Sequence, residues 1–422
     1  MKLLHHVLPA ALALGISFGP ASASEAETSP VWKFTSSIAA RATFDSNVYL
    51  QDQRPDAGIA GAVRPRQESF ASSLSAAVSL DYRPHRDTSL SASYAPEASR
   101  YFSARSEDHR LHRLSFNGSG RFGAATWSLQ NSGTWIDGSA EGPTFGGIGG
   151  ITAMGGIPLR DRREAYISRH SFRMQIPQES WFVRPVASAY VHDFQTVQSR
   201  RAGYENYLDR QEWTAGVDLG RKVGAKTAIL AGWRMGRQDQ LRLHGIDSPY
   251  DSRLRRWLVG VEGAPASWLQ CAVLTGPETR DYPAATPVGF KRDKVYWWID
   301  ASATVTAGPR DICTISARRF GLPAFASQSM YEDITYEMNW RHRFGDRLGT
   351  VLGFRAYGGD WPGPACREDW ILTPSAAVQY AFSRRCGLEL AYVLDSTESR
   401  VPNTSGREYR RQLATFSLKF TP

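Results

Sequence analysis

The stretch WKFTSSIAARATF (32–44) decides the fold. Read in twos, Trp32, Phe34, Ile38, Ala40, Ala42 and Phe44 fall on one face, and Lys33, Thr35, Ser37, Arg41 and Thr43 on the other. Side chains alternate between two faces only in a strand, so a period of two means a strand with one greasy and one wet side. The same rhythm runs through SFASSLSAAVSLDY (69–82), where Phe70, Leu74, Ala76, Val78, Leu80 and Tyr82 alternate with serines and Asp81. It returns in EDITYEMNWRHRF (332–344), with Ile334, Tyr336, Met338, Trp340 and Phe344 against Asp333, Thr335, Glu337, Asn339, Arg341 and Arg343. QLATFSLKF (412–420) carries it to the end of the chain.

Working outward from these strands, the connections alternate in length. Tight turns are expected at 83–87, 122–125, 177–180, 221–226, 264–267, 307–311, 345–347 and 383–387. Longer polar loops are expected near 51–68, 98–108, 137–164, 195–207, 237–252, 276–293, 318–331, 357–369 and 395–408. Eight turns and nine loops in strict alternation predict eighteen strands, with sixteen as the alternative. An even count beginning and ending on the short-turn side puts both termini in one compartment. Lipid cannot hydrogen-bond an exposed backbone, so a sheet crosses a membrane only by closing on itself. Alternating segments with short periplasmic turns and long external loops are the pattern of an antiparallel up-and-down transmembrane β-barrel. The expected fold is therefore all-β, with both termini periplasmic.

Composition narrows the alternatives. The chain has 422 residues, 50 Lys+Arg against 41 Asp+Glu, a formal charge of +9, and 13 Trp, 17 Tyr and 19 Phe. A mean hydropathy of −0.38 excludes a helical membrane bundle. That much aromatic surface excludes a disordered chain. The basic charges alternate with apolar residues rather than clustering, so a nucleic-acid partner is not expected. Residues 1–23 read as a secretory signal, with Lys2 near the start, the apolar run VLPAALALGISFG and a small-x-small site ending at Ala23. This leaves 24–422 as a single barrel domain directed to the outer membrane. Tyr82, Phe122, Trp181, Trp268, Phe344, Phe382 and Phe420 sit at the short-turn side, and Trp135, Trp213, Trp257, Trp297 and Trp370 nearer the long loops. Two aromatic girdles at headgroup level would look like this.

The segments FDSNVYLQ (44–51) and SGREYRRQLATFSLKF (405–420) resemble the two ends of Gram-negative outer-membrane β-barrel porins, a group often associated with exopolysaccharide or capsule export loci. Between these ends only the strand rhythm is shared, and Thr421 and Pro422 depart from the usual aromatic finish. The resemblance implies a barrel in the outer membrane and says little about the cargo.

An eighteen-stranded barrel leaves an aqueous channel, so passive diffusion of small hydrophilic solutes is the expected activity. The pore-lining candidates are Arg41, Arg169, Arg173, Arg234, Arg341, Arg343, Arg355, Glu337 and Asp218, all on the face opposite the lipid-side aromatics. Basic rings favour anions, which predicts a mild anion preference. The Gly-rich segment 138–162 is the third external loop and interleaves Phe145, Ile148, Ile151, Met154 and Ile157 with eight glycines. Those side chains would be sheltered either as a constriction inside the lumen or packed over the rim. Expected partners are outer-membrane lipid and lipopolysaccharide, together with small hydrophilic solutes or polysaccharide. The alternatives are a non-enzymatic barrel assisting exopolysaccharide export or surface assembly, and a plugged structural or adhesive barrel.

Catalysis is not expected. Ser168 and His170 share a face in SRHSF, but with Tyr166, Phe172 and Met174, and no acidic residue falls near them on that face. The four cysteines have no metal-binding spacing, and Cys366 and Cys386 bracket a strand, beyond disulfide reach. No cofactor is implied.

Overall fold

The computed structural model describes residues 31–50, 66–138, 164–195, 209–240, 250–284, 288–323, 330–361, 366–400 and 408–422. Residues 1–23 and the loop side chains Phe145, Ile148, Ile151, Met154 and Ile157 lie outside them.

Eighteen strands follow one another: β1 (Val31–Asp45), β2 (Ser69–His85), β3 (Thr88–Tyr101), β4 (His109–Phe122), β5 (Ala125–Asp137) and β6 (Glu164–Gln178). The second third is β7 (Trp181–Phe194), β8 (Arg210–Gly224), β9 (Thr227–Gln240), β10 (Ser252–Ala266), β11 (Leu269–Asp281) and β12 (Asp293–Thr306). The last is β13 (Asp311–Pro323), β14 (Met330–Arg343), β15 (Leu348–Trp361), β16 (Arg367–Ala381), β17 (Cys386–Ser399) and β18 (Arg410–Phe420). Each strand pairs antiparallel with its sequence neighbours, and β1 also pairs with β18. The sheet therefore closes into a barrel, and backbone pairing continues around the ring without a sheet edge at the seam.

A buried ion pair reinforces the seam. Arg411 on β18 donates from Nε and Nη2 to the two carboxylate oxygens of Asp45 on β1, at 3.0 and 2.6 Å. Such a two-pronged guanidinium–carboxylate contact fixes relative position as well as charge. Asn47 adds a hydrogen bond from Nδ2 to the Arg410 carbonyl at 2.9 Å.

All eight short turns fall where the sequence places them. At the β4–β5 turn the backbone needs a left-handed residue, and Gly123 supplies it with φ +61°. The long connections differ from expectation. Residues 98–101 belong to β3, and 105–107 form a single 3₁₀ turn before β4 begins at His109. β9, β11, β13, β15 and β17 likewise run several residues into stretches expected to be loop. Strands reach 17 residues, as in β2, where roughly ten cross a bilayer. Past the membrane both faces of a strand meet water or other polar groups, so the ladder continues while the hydropathy alternation fades.

The outer surface is the apolar one. Phe34, Phe70, Leu74, Phe116, Val217, Ile229, Val259 and Leu352 are all exposed on it. Trp257 and Trp268 lie eleven residues apart near opposite ends of this band and are 59% and 54% exposed. At about 3.3 Å per residue and a tilt of about 45°, that separation is roughly 25 Å of height, the thickness of an outer-membrane apolar belt. Among the described residues no helix is long and apolar enough to span a membrane.

Candidate pore-lining site

The face opposite this band is polar, and it divides into two unlike walls. From β2 to β5 it carries Ser73, Ser75, Ser79, Ser93, Ser99, Ser115, Ser128 and Ser132, placed there by register with one another and with Arg41 and Arg169. Their hydroxyls pair across strands, Ser73 with Ser99 and Ser93 with Ser115, each at 2.7 Å. Side chains this short leave the space in front of them open.

From β7 to β11 the inner face is filled by a lattice of ions. Arg184 donates to Asp218 at 3.0 Å and to both oxygens of Glu262 at 2.7 and 2.9 Å. Arg234 takes the other oxygen of Asp218 at 2.6 Å. Arg256 binds Glu278 at 2.7 Å and lies over the ring of Trp298 at 4.4 Å. Arg280 meets Glu278, Glu212 at 3.2 Å and Gln238 at 3.0 Å. Beneath this lattice Phe182, Ala228 and Leu230 pack together, with Leu274 against them. Charges removed from water persist only when paired, and each of these four guanidiniums has its carboxylate.

The arginines expected to line a pore therefore fall into classes. Arg234 and Asp218 are 8% and 1% exposed and belong to the lattice. Arg41 is shared with Glu97 at 3.5 Å, which also holds Arg113 at 3.2 Å. Arg173 donates to Ser128 at 3.1 Å, and Arg343 reaches the Pro309 carbonyl at 2.9 Å beside a short turn. Glu337 accepts from Ser316 at 3.4 Å and stands across from Arg355 in register. Among the described residues, no carboxylate lies within ion-pair distance of Arg169, Arg173, Arg341 or Arg355.

The barrel also brings together residues that strand reading alone does not connect. On one wall Arg169 of β6 and Arg210 of β8 flank the ring of Tyr190 of β7, at 5.7 and 4.5 Å. On the facing wall Tyr357 and Tyr331 donate to one oxygen of Asp333, at 2.8 and 3.2 Å. Arg169 is within electrostatic reach of both Arg318 of β13 and Asp333 of β14. β13 and β14 stand seven and eight places from β6 in the ring. Alternation puts Asp333 and Arg318 on the inner face, but only closure shows which wall they oppose.

An apolar outside, a polar inside and full closure define a membrane-spanning β-barrel with a water-compatible lumen. No family profile and no curated protein matches the sequence. Among solved structures the chain is similar to the copper transporter OprC (10% identity, TM-score 0.43), covering 94% of this chain and 81% of that one. It is also similar to OccK2 (OpdF) of Pseudomonas aeruginosa (9% identity, TM-score 0.42; 92% and 98% covered). A third similarity is to the ferric enterobactin receptor PfeA (8% identity, TM-score 0.45; 94% and 82% covered).

Proposed function

We propose that this protein is an outer-membrane pore for passive diffusion of small hydrophilic solutes, with a mild preference for anions. Residues 1–23 are removed on export, the short turns face the periplasm, and the long loops face outward toward lipopolysaccharide. The observation that carries the reading is Arg169, exposed on the inner face with no carboxylate at ion-pair distance among the described residues, and within electrostatic reach of Arg318 on the facing wall. A solute passing there meets guanidinium groups suited to carboxylate, phosphate or sulfate, with Asp333 as the opposing charge. The lattice of β7–β11 is internally neutralised, so it contributes a solid wall rather than a field. The solute path runs beside the serine wall.

Single-channel recording in planar bilayers under a salt gradient tests this. The wild-type reversal potential should lie on the anion side. Arg169→Gln should move it toward zero, and the Arg169→Gln/Arg318→Gln pair should move it further, with no loss of folded barrel. A folded wild-type protein that passes no current, or one that favours the cation, overturns the reading. The first of those results would favour a plugged structural barrel.

A further inference from the structure

The lipid-facing wall carries a polar chain that a diffusion pore does not use. On β6, Ser168 and His170 point outward with Phe172, and Ser168 Oγ lies 3.0 Å from His170 Nε2. His170 Nδ1 lies 2.7 Å from Oδ1 of Asn131, its directly paired neighbour on β5. Asn131 Nδ2 donates to the Phe116 carbonyl at 3.2 Å. That last bond fixes the rest. With its amide nitrogen committed to a carbonyl, Asn131 presents an acceptor to His170, so a neutral imidazole holds its proton on Nδ1. Nε2 is then the acceptor facing the serine hydroxyl. This is the nucleophile–base–orienting-group arrangement of acyl-transfer sites, with an amide in the third place.

The surroundings select a substrate. Phe34, Leu80, Ala92, Phe116, Asn131 and His170 form one continuous row of paired residues across β1 to β6. They line an outward-facing furrow of about 510 Å³ that ends at the imidazole. Five inter-strand spacings make it about 24 Å long, room for an extended acyl chain. Ser168 lies two residues below the Trp135–Tyr166 pair at the long-loop girdle, about 7 Å along the strand. Aromatic girdles mark headgroup level, so Ser168 sits at the depth where acyl chains join their headgroups. Ser168 is itself buried and does not line the furrow, and Gly133, directly across from it, is covered by the Tyr166 hydroxyl. A Cβ at 133 would come within 3.0 Å of the Tyr166 hydroxyl.

We propose that Ser168, His170 and Asn131 form a lipid-facing acyl-ester hydrolase site acting on membrane glycerophospholipid. Ser168 Oγ adds to the ester carbonyl while its proton passes to His170 Nε2. The carbonyl electron pair moves onto oxygen, and the Tyr166 hydroxyl over Gly133 is the donor placed to receive it. Collapse breaks the bond to the lipid alcohol, which leaves with the proton from His170 and vacates an acyl-Ser168. Water, deprotonated by His170, then releases the fatty acid and restores the serine.

The test uses the full chain reconstituted in phosphatidylethanolamine vesicles. It reads fatty-acid release and covalent labelling by a fluorophosphonate, located by peptide mass spectrometry. The wild-type protein should release fatty acid and carry the label on Ser168. Ser168→Ala should abolish both, His170→Ala should slow labelling about 10²-fold or more, and Asn131→Ala should slow it less. Gly133→Val should block release by displacing the Tyr166 hydroxyl. Folding of each variant is read from heat-modifiable electrophoretic mobility, and Ser168→Ala should conduct as the wild type does. A folded wild-type barrel that neither labels at Ser168 nor releases fatty acid overturns the proposal and leaves the chain as a polar staple between β5 and β6. Labelling at Ser168 in a barrel that passes no current would sustain it while removing the pore.

Discussion

The inner faces of β2–β5 and β7–β11 are built on the same strand rhythm and do opposite things. On the first, serines pair hydroxyl to hydroxyl and leave the lumen open before them. On the second, Arg184, Arg234, Arg256 and Arg280 interlock with Asp218, Glu212, Glu262 and Glu278 and close it. The difference teaches that the number of charges on a pore wall does not measure the field it exerts. Four buried arginines with four carboxylates stabilise shape. In the proposed pore, Arg169, exposed beside Tyr190 with no carboxylate at ion-pair distance among the described residues, is what a passing ion would meet.

The comparison breaks most visibly if one carboxylate is taken out of the lattice. Asp218→Ala strands Arg234 and leaves Arg184 with Glu262 as its remaining carboxylate, neither arginine being more than about a tenth exposed. Removing one partner of a buried pair costs about 3–5 kcal/mol, mostly the penalty of the charge left behind. Urea unfolding in detergent micelles, followed by tryptophan fluorescence, should show a loss of that size. A loss below about 1 kcal/mol would mean that water reaches the lattice, and the two walls would then differ in composition only.

The next effect tests whether the lattice wall is also solid in its packing. Gly220 on β8 sits against Phe182, and a Cβ there would lie 2.0 Å from the ring Cζ. Phe182 is buried with Ala228 and Leu230, so the ring has little room to yield. Gly220→Ala should destabilise the barrel by about 1–3 kcal/mol through overpacking, with the Asp218 and Arg234 contacts intact. A neutral outcome in the same urea titration would show that the ring swings freely into the lumen.

How far the two walls could be read from sequence depends on which loops join their strands. Alternation sorts the side chains of each strand onto two faces, and turn chemistry located all eight short turns. Register is a different matter. β8 and β9 are joined by a tight turn, but the register shifts between Lys222 and Gly224: counting outward from Gly224 and Thr227 alone sets Asp218 against Trp233, and the shift moves it opposite Gly232, next to Arg234. With alternation keeping Asp218 off the face of Trp233, that ion pair was within reach of the sequence. β7 and β8 are joined by a long connection whose length fixes nothing, so Arg184 opposite Asp218 was not. The same holds for β5 and β6, where a search for a carboxylate beside Ser168 and His170 passes over Asn131. Strand ends were lost for another reason: above the apolar belt both faces are polar, and the signal that marks a strand is gone. The approach of Arg169 to Arg318 and Asp333 needs the closed ring itself.

The smallest effect bears on the serine wall. Ser93→Ala removes one hydroxyl from the 2.7 Å pair with Ser115. If that wall borders open lumen, water takes the vacated place and Ser115 keeps a partner. An ordinary hydrogen bond replaced in this way changes stability by under about 1 kcal/mol, whereas a buried hydroxyl left unsatisfied costs more, about 1–3 kcal/mol. Urea unfolding of Ser93→Ala should therefore be nearly indistinguishable from wild type, and its single-channel current unchanged. The companion substitution Ser93→Phe should reduce the current without altering the reversal potential, because it fills space and adds no charge. A costly Ser93→Ala, or a Ser93→Phe that conducts normally, would put the open path somewhere other than in front of the serines.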